Sequence, residues 1–186
     1  MKKIGCLGWG SLVWNPQALP VRGTWFKDGP FLPIEFARQS RDGRITLVLV
    51  SGKPFVRSLW SLLSVDSVDT AIEALAEREG IPEKNSKTHV GVWLKESEEA
   101  DEFQKLIGEW ARTIAIDAVI WTALTPKFEG TRIVPSADEV ISHLSNLPYE
   151  KRKHAEEYIR MTPRQIDTDY RRKIESVFHW TPISKI

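Results

Sequence analysis

Apolar positions change period several times along the chain, and each change marks an element. A first strand is predicted over Lys3–Leu7, ending in the turn Gly8-Trp9-Gly10-Ser11-Leu12-Val13-Trp14. Residues 20–35 are broken by Pro20, Pro30 and Pro33 and by Gly23 and Gly29, which predicts irregular chain. Arg44–Val50 is β-branched and nearly continuously apolar, the pattern of a strand buried on both faces. Phe55–Leu63 alternates, with Val56, Ser58, Trp60 and Leu62 on one face and Arg57, Leu59, Ser61 and Leu63 on the other. A helix is expected over Val68–Glu79, ended by Gly80 and Pro82. A short strand over Val90–Leu94 follows. Ser97 is the expected cap of the next helix, whose stripe is Phe103, Leu106, Ile107, Trp110 and Ile114. Ala118–Leu124 reads as strand, and Ser136-Ala-Asp-Glu139 is a capping box opening a helix to about Leu147. Helical stretches near Pro148–Met161 and Pro163–Phe178 complete the chain.

Strands come mostly first, with helices inserted and appended. That order predicts an α+β single domain with a mixed or barrel-like, closed sheet flanked by helices, since regular βαβ alternation is missing. Length agrees: 186 residues suffice for one domain with a real core, and no repeat or linker interrupts them. Basic and acidic residues balance at 26 against 25, so no global field favours nucleic acid or an anionic membrane. The single cysteine rules out an internal disulfide or a multi-thiolate metal site. No apolar run reaches the length of a membrane span, and no cleavage site follows the short apolar start. A cytoplasmic protein is the expectation.

Two places carry chemistry. At Gly8 and Gly10 the missing Cβ lets a ligand approach the backbone, and successive N–H groups in such a turn form a concavity for a carboxylate or oxyanion. An ordinary tight turn has the same pattern. The second place is Glu79. At about 100° per residue, Ile72, Leu75 and Glu79 fall within roughly 40° of Val68, whereas Glu73 and Glu77 point elsewhere. Glu79 thus extends the core-facing stripe, in the last helical turn where the dipole disfavours negative charge. Burial and dipole both raise a carboxyl pKa, which suits a general acid/base. Fraying at Gly80 would instead turn Glu79 into water.

Together these stretches resemble the γ-glutamylcyclotransferase-like superfamily, whose fold opens with a strand and a Tyr-Gly-Ser-Asn or Tyr-Gly-Ser-Leu loop. Gly8-Trp9-Gly10-Ser11-Leu12-Val13-Trp14 is similar to the Gly-Tyr-Gly-Ser-Leu-Ile-Trp form of the glutathione-specific branch. Leu75-Ala-Glu-Arg-Glu79-Gly80 is similar to the stretch around that family's catalytic Glu, and Glu156-Glu157-Tyr158-Ile159 to a late tyrosine segment. The likeness covers residues 4–80 and departs from the pattern twice: Trp9 stands for the family's Tyr, and Ile81–Val90 lacks a tyrosine often found there. The resemblance implies a γ-glutamyl amide or peptide as small-molecule substrate, cyclised to 5-oxoproline without a cofactor. Glu79 would be the acid/base, and Gly8, Trp9, Gly10, Ser11, Leu12 and Tyr158 would bind substrate.

Other candidates carry less. Cys6 lies inside the first strand, as a buried structural thiol does. His89, His143, His154 and His179 show no paired ligand spacing, so no metal is expected. Ser11 lacks the surroundings of a nucleophile elbow. Lys151-Arg152-Lys153 and Arg171-Arg172-Lys173 are interleaved with acids and read as solvated helical faces rather than a nucleic-acid interface. Arg38, Arg41 and Arg44 follow the loop, and any of them could meet a substrate carboxylate or simply lie at the surface. The alternative to an enzyme is a small-molecule-binding or regulatory protein on the same fold.

Overall fold

The computed structural model describes residues 2–184. In chain order the strands are β1 (Ile4–Gly8), β2 (Val21–Phe26), β3 (Phe31–Leu32), β4 (Ile34–Gln39), β5 (Ile45–Leu49), β6 (Val56–Arg57), β7 (Leu59–Leu63), β8 (Val90–Leu94) and β9 (Ala118–Thr122). The helices are α1 (Val68–Arg78), α2 (Ser86–His89), α3 (Glu102–Thr113), α4 (Ala137–Ser145), α5 (Tyr149–Met161) and α6 (Asp169–Phe178). The class is α+β. Contacts gather the chain into two compact units made of interleaved stretches. One takes the chain up to Gly8, Asn15–Leu32 and Arg57–Leu124; the other takes Trp9–Trp14, Pro33–Val56 and the chain from Thr125 on.

The first unit is built on a five-stranded mixed sheet of order β2-β7-β1-β9-β8. β1 runs parallel to β9 and antiparallel to β7, with Ile4 opposite Ala118 and Gly8 opposite Leu59. β2 and β8 are edges, so this sheet is open and the closed or barrel-like alternative is not what forms. α1 buries Ala71, Leu75 and Ala76, and its cap Ser67 accepts the Thr70 N–H at 3.1 Å. Burying Leu75 alone contributes about 1.5–3 kcal/mol.

β2 corrects the expectation of irregular chain over 20–35. It tolerates Gly23 because it is an exposed edge strand, paired only with β7 and irregular in register between Arg22 and Phe26. Pro20 and Pro30 flank it instead of interrupting it. The predicted Phe55–Leu63 strand is likewise divided at Ser58, whose N–H and hydroxyl both donate to the Pro30 carbonyl. α3 starts later than Ser97 predicted. Its cap is Asp101, accepting the Gln104 N–H at 2.8 Å, while the Gln104 side chain accepts the Ala100 N–H. Asp101-x-x-Gln104 is the better capping pair, because Ser97 has only Ala100 three residues on.

The second unit packs the β4–β5 hairpin with α4, α5 and α6. Ile34 opposes Leu49 and Phe36 opposes Leu47, with a register shift between Phe36 and Arg38. Of the buried strand predicted over Arg44–Val50, Ile45 and residues 47–50 are buried. Ser136 and Glu139 form the reciprocal capping box expected of α4. α6 starts at Asp169 rather than near Pro163, since Thr168 supplies the cap by accepting the Arg171 N–H.

Arg171 is a further correction. It is no solvated surface residue: it is 1% exposed, and its Nη1 donates to the Pro163 and Ile166 carbonyls at 2.7 and 3.0 Å. Nη2 donates to Thr162 at 2.9 Å, and Nε to Glu175 at 2.9 Å. The guanidinium fork satisfies the carbonyls of the turn between α5 and α6, which lack helical partners.

Candidate functional site

The residues nominated from the sequence divide between the units. Trp9, Gly10, Ser11, Leu12 and Tyr158 belong to the second, Gly8 and Glu79 to the first.

In the loop, Trp9 and Leu12 are buried and Ser11 is half-buried. The Trp9 indole N–H donates to the Leu47 carbonyl at 3.3 Å, and Leu47 in turn donates its N–H to the Tyr158 hydroxyl at 3.3 Å. One strand residue therefore ties the loop to the tyrosine, through the two backbone groups that β5 presents at a single position. The Tyr158 ring meets Trp14 and Phe36 edge-on, with centroids 5.6 and 6.4 Å apart, and the Arg44 guanidinium lies 5.5 Å from its centroid. A Cβ on Gly10 would sit 2.5 Å from the Tyr158 oxygen, closer than side chains approach. Glycine is needed at position 10 because the phenol occupies that space. The Val13 N–H donates to the Gly10 carbonyl at 3.0 Å and closes the turn.

Glu79 is the C-cap residue of α1, and Gly80 follows in the left-handed region at φ +63°. The helix does not fray before it: the Glu79 N–H still donates to Leu75 at 3.0 Å. Glu73 and Glu77 are exposed, whereas the Glu79 side chain is 19% exposed. Burial pushes its carboxyl above the ordinary 4.5, against the opposing pull of Arg78. Arg78 is the partner that helical periodicity could not supply. Its Nη1 lies 2.6 Å from Glu79 Oε1, and its Nε and Nη2 donate to the Asn15 carbonyl. A guanidinium so placed orients the carboxyl and keeps one of its oxygens engaged. Cys6 is fully buried, and burial, then the Glu79 charge, raise its thiol far above the usual range. A thiol held protonated is no nucleophile at neutral pH.

A second buried carboxyl went unnominated. Glu35 on β4 is 1% exposed and accepts the Thr168 hydroxyl, the Phe36 N–H at 2.9 Å and the Tyr170 N–H at 3.4 Å. Burial raises its pKa too, against those hydrogen bonds and the Lys53 charge. Lys53 donates to the Tyr170 hydroxyl at 2.8 Å, and that hydroxyl donates to the Pro135 carbonyl at 2.7 Å. In sequence Glu35 ends the stretch read as irregular chain, and no residue near it marks it as buried.

Among the described residues no three of His, Cys, Asp and Glu gather in a way that could hold a metal ion. Among the described residues no helix is long and apolar enough to cross a membrane. A groove of about 710 Å³ runs along α5, lined by Tyr149, Arg152, Lys153, Glu156, Glu157 and Trp180 among others, and contains none of the nominated residues. Its charges largely offset one another, with Glu156 paired to Arg160 at 2.8 Å. No protein-family model, no curated protein and no solved structure matches this chain.

Proposed function

We propose that the protein cyclises a γ-glutamyl amide or peptide to 5-oxoproline and frees the amine, with Glu79 as general acid/base. The observation that carries this reading is a carboxyl set at the C-terminal end of α1, largely withdrawn from water, with its pKa raised. Such a group is poor for stability and well suited to moving protons near neutrality. In the reaction the α-amino nitrogen bonds to the γ-carbonyl carbon while the Glu79 carboxylate takes one of its protons. The amide C–N bond then breaks, and the same proton goes to the departing nitrogen. Atoms and charge balance without a co-reactant, which is why the reading includes no cofactor.

The test is 5-oxoproline release from glutathione, a γ-glutamyl dipeptide and a γ-glutamyl amine, with wild type and Glu79→Gln. Release by wild type, reduced by about 10²-fold or more in the variant, supports the reading. Folded wild type that releases none from any of the three overturns it.

One observation favours a binding or regulatory protein instead. Arg78 engages Glu79 at 2.6 Å, which stabilises the carboxylate and competes with proton transfer. Binding of the same compounds without turnover is the result that reading expects.

A further inference from the structure

Three cations gather on one edge of the second unit without an acid among them. Residues 125–132 run beside β4: the Lys127 N–H donates to Ala37 at 3.1 Å, and the Gln39 N–H donates to Lys127 at 2.7 Å. Arg38 and Lys127 are thereby parallel bridge partners, and such partners project to the same side. The chain then reverses at once. Phe128 and Thr131 exchange both backbone hydrogen bonds at 2.9 Å around Glu129 (φ 47°) and Gly130 (φ 81°), the two-residue turn whose central residues are both left-handed. The next pair out from such a turn is Lys127 with Arg132, on the face opposite to Phe128. Phe128 is buried against His143, so Lys127 and Arg132 take the outer face, beside Arg38.

Arg38 is half-buried, and its Nη1 donates to the Thr125 carbonyl, which fixes the guanidinium without neutralising it. Among the described residues no carboxylate pairs with Arg38, Lys127 or Arg132. The acids on either side are Glu129, at the turn, and Asp42, which is taken by Arg44 and Ser40. Burial, and after it the Arg132 charge, hold the Arg38 guanidinium below its ordinary range. Like charges held together by backbone pairing repel each other, and no carboxylate among the described residues forms an ion pair with them. A bound anion supplies one, and a guanidinium fork presents several N–H donors to anionic oxygens.

We propose that Arg38, Lys127 and Arg132 form a receptor for the anionic oxygens of a small molecule, a phosphate or a carboxylate group. The receptor uses no part of the Glu79 reading and stands or falls separately. The test is thermal unfolding in potassium chloride, potassium phosphate and potassium succinate at equal ionic strength, for wild type, Arg132→Ser and, as a remote control of equal charge change, Lys105→Ser. Arg132 is exposed and Lys105 is exposed on α3, so both variants fold. Phosphate or succinate is expected to raise the wild-type Tm over chloride, by about 5–10 °C at roughly a hundredfold excess over Kd. A shift with phosphate alone identifies a phosphoryl ligand, and a shift with succinate alone identifies a carboxylate. Lys105→Ser keeps the shift. Arg132→Ser loses it, and in chloride melts no lower than wild type because the repulsion is relieved. Equal Tm in all three salts, or an undiminished shift in Arg132→Ser, overturns the proposal.

Discussion

Glu35 and Glu79 are both carboxyls withdrawn from water, and burial holds the proton on each to higher pH than 4.5. They meet helices at opposite ends. Glu35 accepts from Thr168 and the Tyr170 N–H at the start of α6, where unpaired N–H groups and the positive end of the dipole favour a carboxylate. Glu79 closes α1 at the negative end, with one arginine for company. The first arrangement is structural: three donors converge on one group, from its own strand and from a helix far along the chain. The second leaves a carboxyl with less to do for the fold, and that is where chemistry is affordable. Burial alone does not mark an acid/base; the donors around it decide.

The largest effect that sharpens this contrast belongs to Arg171, on α6, the helix whose start Glu35 meets. Arg171→Met strands the Thr162 and Ile166 carbonyls, leaves Pro163 only the Ile166 N–H and removes the partner of Glu175, and should cost about 3–5 kcal/mol in urea unfolding. Glu35→Ala comes next. It leaves the Thr168 and Tyr170 donors without their acceptor, at about 2–4 kcal/mol by the same measurement. Gly10→Ala forces Tyr158 to move and should cost about 1–3 kcal/mol, with a changed near-ultraviolet spectrum from the Trp14–Tyr158 contact. Glu79→Gln is the mildest, within about 1 kcal/mol at neutral pH, because Gln still accepts from Arg78. A Glu79→Gln cost as large as that of Glu35→Ala would erase the contrast.

The pH dependence of that last pair has a defined sign. A carboxyl whose pKa is raised on folding binds more protons in the folded state between the unfolded and folded values, so stability falls as pH rises through that window. The stability of wild type relative to Glu79→Gln should therefore rise on acidification through the raised pKa and level off below about 4.5. A fall over the same range would show that Arg78, rather than burial, governs the group.

What the sequence revealed was local. The Ser136–Glu139 capping box, the strands β1 and β9 and the end of α1 at Gly80 depend on residues within a few positions of each other, and periodicity found them. So did the side of α1 that carries Glu79. Asp101 as the cap of α3 was equally legible, and weighting Ser97 by residue type without its partner three residues on hid it. β2 was obscured because edge strands carry little hydrophobic signal. Glu35 and Arg171 were beyond local reading altogether. Their burial depends on Thr168 for the one and on the turn from Thr162 to Ile166 for the other, so pattern left Glu35 in irregular chain and Arg171 on a solvated face. Tyr158 was reached only through resemblance, and its contact with Gly10 joins positions that periodicity cannot connect.

The interleaving of the two units bears on the order in which the chain can fold. All five strands of the mixed sheet lie before Leu124, so during synthesis that sheet has every strand it needs once Thr122 is free. Trp9–Trp14 must wait for Tyr158 and the helices around it. Between those moments the loop next to β1 has Leu47 of β5 to meet but not yet Tyr158, so the indole of Trp9 is incompletely covered. Non-local pairing of this kind is slow because chain entropy is lost before contacts return it. The early tryptophans are thus made long before the last of the residues that cover them.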